Sequence, residues 1–196
     1  LWDLDVQGAT TYYFRVKPKI KGGVKKLIRK KSNLDLWIRG TNYDNLDLLP
    51  SDKSYQKMER LLNSVKHPEE VFRRRIKPLK GEYDYVFLDC PPGLSLISES
   101  IIRAAGVLIV PLIPTTLSMR TLDLLYKAKA FRGKKTRSIM PVISMLDRRK
   151  KLYHEMQKQL LATHPLTLQS AIPFATDVEL MGQKRSPLFP FAPHSR

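Results

Sequence analysis

Tyr83-Asp84-Tyr85-Val86-Phe87-Leu88-Asp89-Cys90-Pro91-Pro92 is the stretch on which the fold turns. The run Tyr85 to Leu88 reads as a β-strand, stopped by Pro91 and Pro92, with an acid standing directly after it. Downstream, Leu96 to Ala105 has helical period and ends at Gly106, the C-terminal position that favours glycine. Val107-Leu108-Ile109-Val110 then runs without alternation, as expected of a strand covered on both faces. Ser118 can cap a helix reaching about Phe131; Ile139 to Ile143 predicts a strand, Lys150 to Ala162 a helix and Leu168 to Ile172 one more strand. Upstream, Leu46 to Leu49 predicts a strand. Ser54 to Val65 spaces Met58, Leu61, Leu62 and Val65 on one helix face, and Pro68 to Ile76 is a helix with proline in its first turn. Leu1 to Asp5 reads as the last turn of a buried strand.

This alternation predicts an α/β fold, a three-layer sandwich of a mostly parallel sheet with helices on both faces. With 196 residues, no internal repeat and no low-complexity linker, residues 1–196 are expected to form a single domain. The composition, 42% apolar and 27% charged, suits a globular chain and excludes a disordered one. No stretch approaches the ~18–20 apolar residues of a membrane span. The single cysteine, Cys90, excludes an intrachain disulfide and a cysteine-built zinc site. With no export signal, the cytoplasm is the default location. The chain opens on Leu1 and closes on Arg196 with no terminating element, and both ends read as cut from a longer protein.

In such sheets ligands sit at the carboxyl ends of the strands. Asp3, Asp5, Gln7 and Gly8 follow the first run; Asp89, Cys90, Pro91 and Pro92 follow the second; Met145 and Asp147 follow a later one. Acids brought together repel unless a cation or hydrogen bonds offset them, and Mg²⁺ prefers oxygen ligands of this kind. The plainer alternative is that each Asp caps a loop.

Trp2-Asp3-Leu4-Asp5-Val6-Gln7-Gly8 resembles the D-x-D-P-Q-G segment of ParA/Soj/MinD-type P-loop ATPases, with Val6 where that family has proline. Tyr83 to Pro92 is similar to the family's Walker B and switch II segment. Val110-Pro111-Leu112-Ile113-Pro114-Thr115-Thr116-Leu117-Ser118 and Ile172-Pro173-Phe174 resemble it in the family's order. The resemblance implies a P-loop NTPase-like fold whose N-terminal strand and helix precede Leu1, with ATP and Mg²⁺ as ligands. It implies that Asp5 is catalytic, orienting the water that attacks the γ-phosphate. Asp89 would hold Mg²⁺ through water, and Asp3 would support the Mg²⁺ water shell or the switch backbone. Gln7 and Pro91 would line the nucleotide, while Met145, Asp147 and the Pro173 to Asp177 loop would lie near the adenine. Cys90 is most simply a packed residue.

No G-x-x-x-x-G-K-[ST] occurs in residues 1–196, and the resemblance places that motif upstream of Leu1. Lys21-Gly22-Gly23-Val24-Lys25-Lys26-Leu27 echoes it and fails physically. Lys25 replaces the glycine that lets backbone approach phosphate, and Leu27 has no hydroxyl for Mg²⁺.

Thirty-five Lys plus Arg against 18 Asp plus Glu leave a net charge of +17, which attracts polyanions. Lys25, Lys26, Arg29, Lys30 and Lys31 lie in one basic run, Lys134 and Lys135 in a second. Either run could be a solvated face; together with the net charge they point to DNA. With no zinc finger, helix-turn-helix or RNA-binding signature, binding is expected through the phosphate backbone without sequence preference. The Pro-rich end, Pro187 to Pro193, cannot form an amphipathic membrane anchor. The expected whole is a ParA-like ATPase of chromosome or plasmid partition or cargo positioning. It would be an ATP-dependent homodimer on DNA, nucleoid-associated, with a ParB-like regulator and no membrane partner. The alternative is a non-catalytic basic DNA-binding module.

Overall fold

A computed structural model describes residues 1–29, 34–128 and 138–195. Two compact units emerge, Leu1–Ala105 with Met181–Phe191, and Gly106–Leu180 with Ala192–Arg196.

In the first unit, β1 (Trp2–Asp3) is followed by α1 (Ala9–Tyr13) and α2 (Gly23–Arg29). β2 (Arg39–Gly40) and β3 (Asp47–Leu48) form an antiparallel pair. Then come α3 (Met58–Asn63), α4 (Val71–Ile76), β4 (Leu88–Asp89) and α5 (Leu96–Ala104). β1 and β4 run parallel, with Trp2 opposite Leu88 and Asp3 opposite Asp89, and Trp2 also bridges to Leu49. That register sets two carboxylates side by side at the ends of neighbouring strands.

Trp2 anchors the core of this unit. Its ring meets Phe72 edge-on at 5.4 Å between centroids, and its indole N–H donates to the Tyr55 hydroxyl at 3.2 Å. Leu27, Met58, Leu62 and Ile101 complete the packing. Each large apolar side chain so buried contributes about 1.5–3 kcal/mol. Ser95 opens α5 with a capping box, its hydroxyl accepting from Ile97 N and Ser98 N while Ser98 returns to Ser95 N.

The second unit carries the parallel sheet β5 (Val107–Leu112), β6 (Ser138–Leu146) and β7 (Ala171–Pro173), in that order. α6 (Thr116–Lys127) and α7 (Lys151–Thr163) connect these strands, so two β-α-β units follow one another. Leu112, Leu122, Ile139, Ile143, Leu146 and Leu160 form its core. α8 (Thr176–Lys184) follows β7.

Several expectations need correction. Among the described residues the strands fall in ladders of two, two and three, with Trp2 also bridged in parallel to Leu49. The strand expected over Tyr85 to Leu88 is in register only at Leu88–Asp89, and Tyr85 and Phe87 are 79% and 55% exposed. β5 is not covered on both faces. Among the described residues it pairs with β6 alone, and alternate side chains, Val107 at 49% and Ile109 at 48%, stand in the open. The helices at 54–65 and 68–76 each begin as a 3₁₀ turn, Lys53–Lys57 and Pro68–Glu70. Asp52 organises the first of these, accepting from Ser54 N at 2.8 Å and from Ile20 N at 2.8 Å. The cap of α6 is Thr115, which accepts from Ser118 N, so the helix starts before Ser118. Phe131 lies outside the described residues.

Candidate nucleotide site

The loop after β1 is built by hydroxyls. Asp3 is fully buried; its Oδ2 accepts from Thr11 N at 2.7 Å and from Thr11 Oγ1 at 2.6 Å, while Oδ1 accepts from Asp5 N at 3.3 Å. Thr11 Oγ1 in turn accepts from Ser51 N at 2.8 Å, and the Ser51 hydroxyl donates to the Asp5 carbonyl. Asp5 Oδ1 closes a local turn by accepting from Gln7 N at 3.0 Å. Gly8 then enters α1 with φ 65, and a Cβ there would stand 3.3 Å from Ser51 Cβ. Only glycine meets both demands.

Asp89 belongs to the same cluster. Its Oδ2 accepts from Thr10 Oγ1 at 2.6 Å, and its carbonyl accepts from Leu4 N at 2.9 Å. Burial pushes the Asp3 carboxyl above its ordinary value, against the Thr11 hydrogen bonds and with the Asp89 charge. Burial, then the Asp89 charge, pushes the Cys90 thiol up to about 11. The thiol donates to the Leu88 carbonyl at 3.2 Å, so Cys90 is an inert packed residue at neutral pH.

The structure thus brings Asp3, Asp5 and Asp89 to one rim, with Gln7 exposed in the first loop and Pro91 two residues past Asp89. It does not give Asp3 a face toward a shared metal cavity. Both oxygens of that side chain are committed to the loop, and it acts on the backbone. Among the described residues no group of three potential ligands is close enough to hold a metal. The Asp89 carboxylate is of the hard oxygen type that suits Mg²⁺, and Thr10 fixes one of its oxygens.

The other predicted nucleotide residues lie in the second unit. Between Ile143 and Leu146 the β6–β7 register slips, and Met145 adopts φ 55 with its side chain exposed. Such bulges re-aim side chains beside binding sites. A cavity of about 270 Å³ is lined by Leu146, Asp147, Arg148, Arg149, Pro173 and Phe174. Arg149 grips Asp147 in two bonds, Nε to Oδ1 at 2.9 Å and an outer nitrogen to Oδ2 at 3.0 Å. That guanidinium is the first cause holding the Asp147 carboxyl down to about 2. Asp177 sits in the first turn of α8.

Gly22 and Gly23 have φ 90 and 62, yet their turn is no phosphate cradle. Val24 N donates to Ser54 Oγ at 2.7 Å, and a Cβ on Gly23 would stand 2.9 Å from that oxygen. The N–H group a phosphate would need is already taken. On α2, Lys25 and Arg29 are exposed and Lys26 half-buried; Lys30, Lys31, Lys134 and Lys135 lie outside the described residues. Sequence reasoning missed Thr10, Thr11 and Ser51. The sequence offers only the adjacent pair Thr10-Thr11 shortly after Gly8, with no pattern that aims either hydroxyl at an acid.

Parallel strands joined by helices, with paired acids at the strand ends, define a P-loop ATPase fold of the ParA/Soj/MinD type. Residues 1–160 match the family described as an AAA domain, and the chain belongs to that family. The cell division protein PomZ of Myxococcus xanthus is 28% identical over 128 residues, 65% of this chain and 40% of PomZ. The chromosome partitioning protein ParA of the same organism is 27% identical over 113 residues, 57% of this chain and 40% of its own length. The chain thus spans less than half the length of these relatives. The solved McdA–ATP complex from Cyanothece superposes with a TM-score of 0.76 at 22% identity, covering 97% of this chain and 77% of McdA. No helix among the described residues is long and apolar enough to cross a membrane.

Proposed function

We propose that the chain is the switch-bearing part of a ParA-like ATPase of chromosome or plasmid partition or cargo positioning, acting as an ATP-dependent homodimer on non-specific DNA. The observation carrying this reading is the Thr10–Asp89 hydrogen bond, which ties the Asp5 loop to the acid of the second motif. Residues 1–196 belong to one ATPase domain on this reading, cytoplasmic and nucleoid-associated, reset by a ParB-like regulator without a membrane partner.

Asp5 orients the water that attacks the γ-phosphate, and Asp3, buried and bonded to Thr11, holds the Asp5 backbone in place. Asp89 would hold Mg²⁺ through water, and the ion would supply charge to offset the phosphate oxygens. Gln7 and Pro91 line the phosphates, and Met145, Asp147, Pro173 and Asp177 contact the adenine. Phosphoryl transfer depends on positioning and electrostatics. Residues 1–196 hold no G-x-x-x-x-G-K-[ST] loop, so by themselves they bind ATP weakly and do not turn it over.

DNA contacts come from Lys25, Lys26 and Arg29, joined by Lys30, Lys31, Lys134 and Lys135. The test is phosphate release by the 196-residue chain with Mg²⁺-ATP, alongside DNA binding at rising salt. No measurable release is expected, with DNA affinity falling about 10³–10⁵-fold between 50 and 200 mM salt for about 6–10 phosphate contacts. Release abolished by Asp5→Ala would overturn the claimed inactivity. DNA binding that ignores nucleotide when the phosphate loop is supplied would favour the non-catalytic module.

A further inference from the structure

The first unit holds a cavity of about 1000 Å³, remote in sequence from the acid rim. It lies at the upper end of the ~300–1,000 Å³ usual for ligand pockets. Ile28, Leu34, Val65, Val71 and Leu79 supply an apolar lining. Its charged lining is one-sided: Arg29, Lys66, Arg74 and Arg75 against Glu82.

The guanidiniums come from two elements and are fixed. Arg29 at the end of α2 donates to Ser64 Oγ at 3.0 Å. On α4, Arg74 donates to the Glu70 and His67 carbonyls at 3.3 and 3.1 Å, and Arg75 donates to the Ile28 carbonyl at 3.2 Å. A guanidinium has five N–H donors, so these anchors leave donors on Arg29 and Arg74. Among the described residues neither forms an ion pair with a carboxylate. Burial, then the neighbouring Arg74 charge, lowers the pKa of Arg75 from its ordinary value.

We propose that this cavity binds an amphipathic anion, an acyl or aromatic body carrying a phosphate or carboxylate head, with the body on the Leu34–Leu79 lining and the head on Arg29 and Arg74. The apolar lining excludes inorganic phosphate as a sufficient ligand, and the charged rim excludes a neutral amphiphile. The site does not rest on the nucleotide reading; it shares Arg29 with the proposed DNA face, so Arg74→Gln is the variant that separates the two.

The test uses the 196-residue chain and the fluorescent anion 8-anilinonaphthalene-1-sulfonate, with competitors added to the complex. Dodecyl phosphate is expected to displace the probe, and inorganic phosphate and dodecanol to leave it bound. Arg29→Gln and Arg74→Gln, both at exposed positions, are each expected to weaken binding about tenfold with an unchanged circular dichroism spectrum. Displacement by monomeric dodecyl phosphate assigns a free amphiphile, and displacement by phosphatidic acid vesicles alone assigns a lipid headgroup; either supports the site. Equal competition by inorganic phosphate or by dodecanol overturns it, as does unaltered probe affinity in both folded variants.

Discussion

Thr10 donates its hydroxyl to Asp89 Oδ2 at 2.6 Å, across 79 residues of sequence. One hydroxyl therefore couples the loop after β1 to the end of β4. Hydrogen bonds to charged groups contribute about 1.5–3 kcal/mol. Thr10→Val, which keeps the branched shape, should lower unfolding free energy by about 1–2 kcal/mol in urea titrations. An unchanged midpoint would show that this bond carries no stability.

Asp3 gives a signed pH effect. Its folded-state pKa is raised above 3.8, first by burial, so the folded chain holds this proton more tightly than the unfolded chain. Its contribution is therefore fully present below 3.8 and is lost as pH rises through the raised folded value. Asp3→Asn should remove that slope. The difference between the two stability curves, measured by thermal melts from pH 3 upward, should shift toward the variant as pH rises. Parallel curves would refute it.

The Asp147 carboxyl behaves in the opposite sense. Held down to about 2 by Arg149 first, it contributes above 3.8, and that contribution is lost as pH falls through about 2. Arg149→Gln should return its titration toward 3.8, as read from carboxyl chemical shifts. A titration still near 2 would mean other groups hold it.

Gly23→Ala puts a methyl 2.9 Å from Ser54 Oγ at φ 62 and should cost about 1–3 kcal/mol. At Gly106 a Cβ meets nothing within 4 Å and φ is not positive, so Gly106→Ala should be neutral or stabilise by up to about 1 kcal/mol. Equal effects from the two substitutions would remove the distinction. Denaturant midpoints decide it.

Lys25→Gln, on the exposed side of α2, should weaken binding to unrelated DNA duplexes uniformly and reduce the logarithmic salt slope by about 1. A change confined to one duplex sequence would point instead to base contacts.

The strand-end acids were legible because Asp3, Asp5 and Asp89 each follow an apolar run, and the parallel register of Trp2 with Leu88 delivers them to one rim. The inability of Lys21 to Leu27 to cradle phosphate was equally legible from Lys25 and Leu27. The hydroxyl framework was not. α1 has five residues, too few to display a helical period, so nothing in the pattern turned Thr10 toward one acid and Thr11 toward another. Exposure of Val107 and Ile109 was also hidden, since an unbroken apolar run reads alike whether one neighbour or two flank it. The bulge at Met145 left no mark for the same reason: a register slip depends on the partner strand. The cap of α6 shifted from Ser118 to Thr115 because both hydroxyl residues sit within one helical turn, and backbone geometry chose between them.

Among the described residues β5 is laddered to β6 alone, and its alternate side chains Val107 and Ile109 are exposed, a combination that favours association with strands from other polypeptides. That margin is where association of concentrated chains is expected to begin. Ile109→Lys is expected to raise the temperature at which a concentrated solution scatters light, and an unchanged scattering onset would refute this.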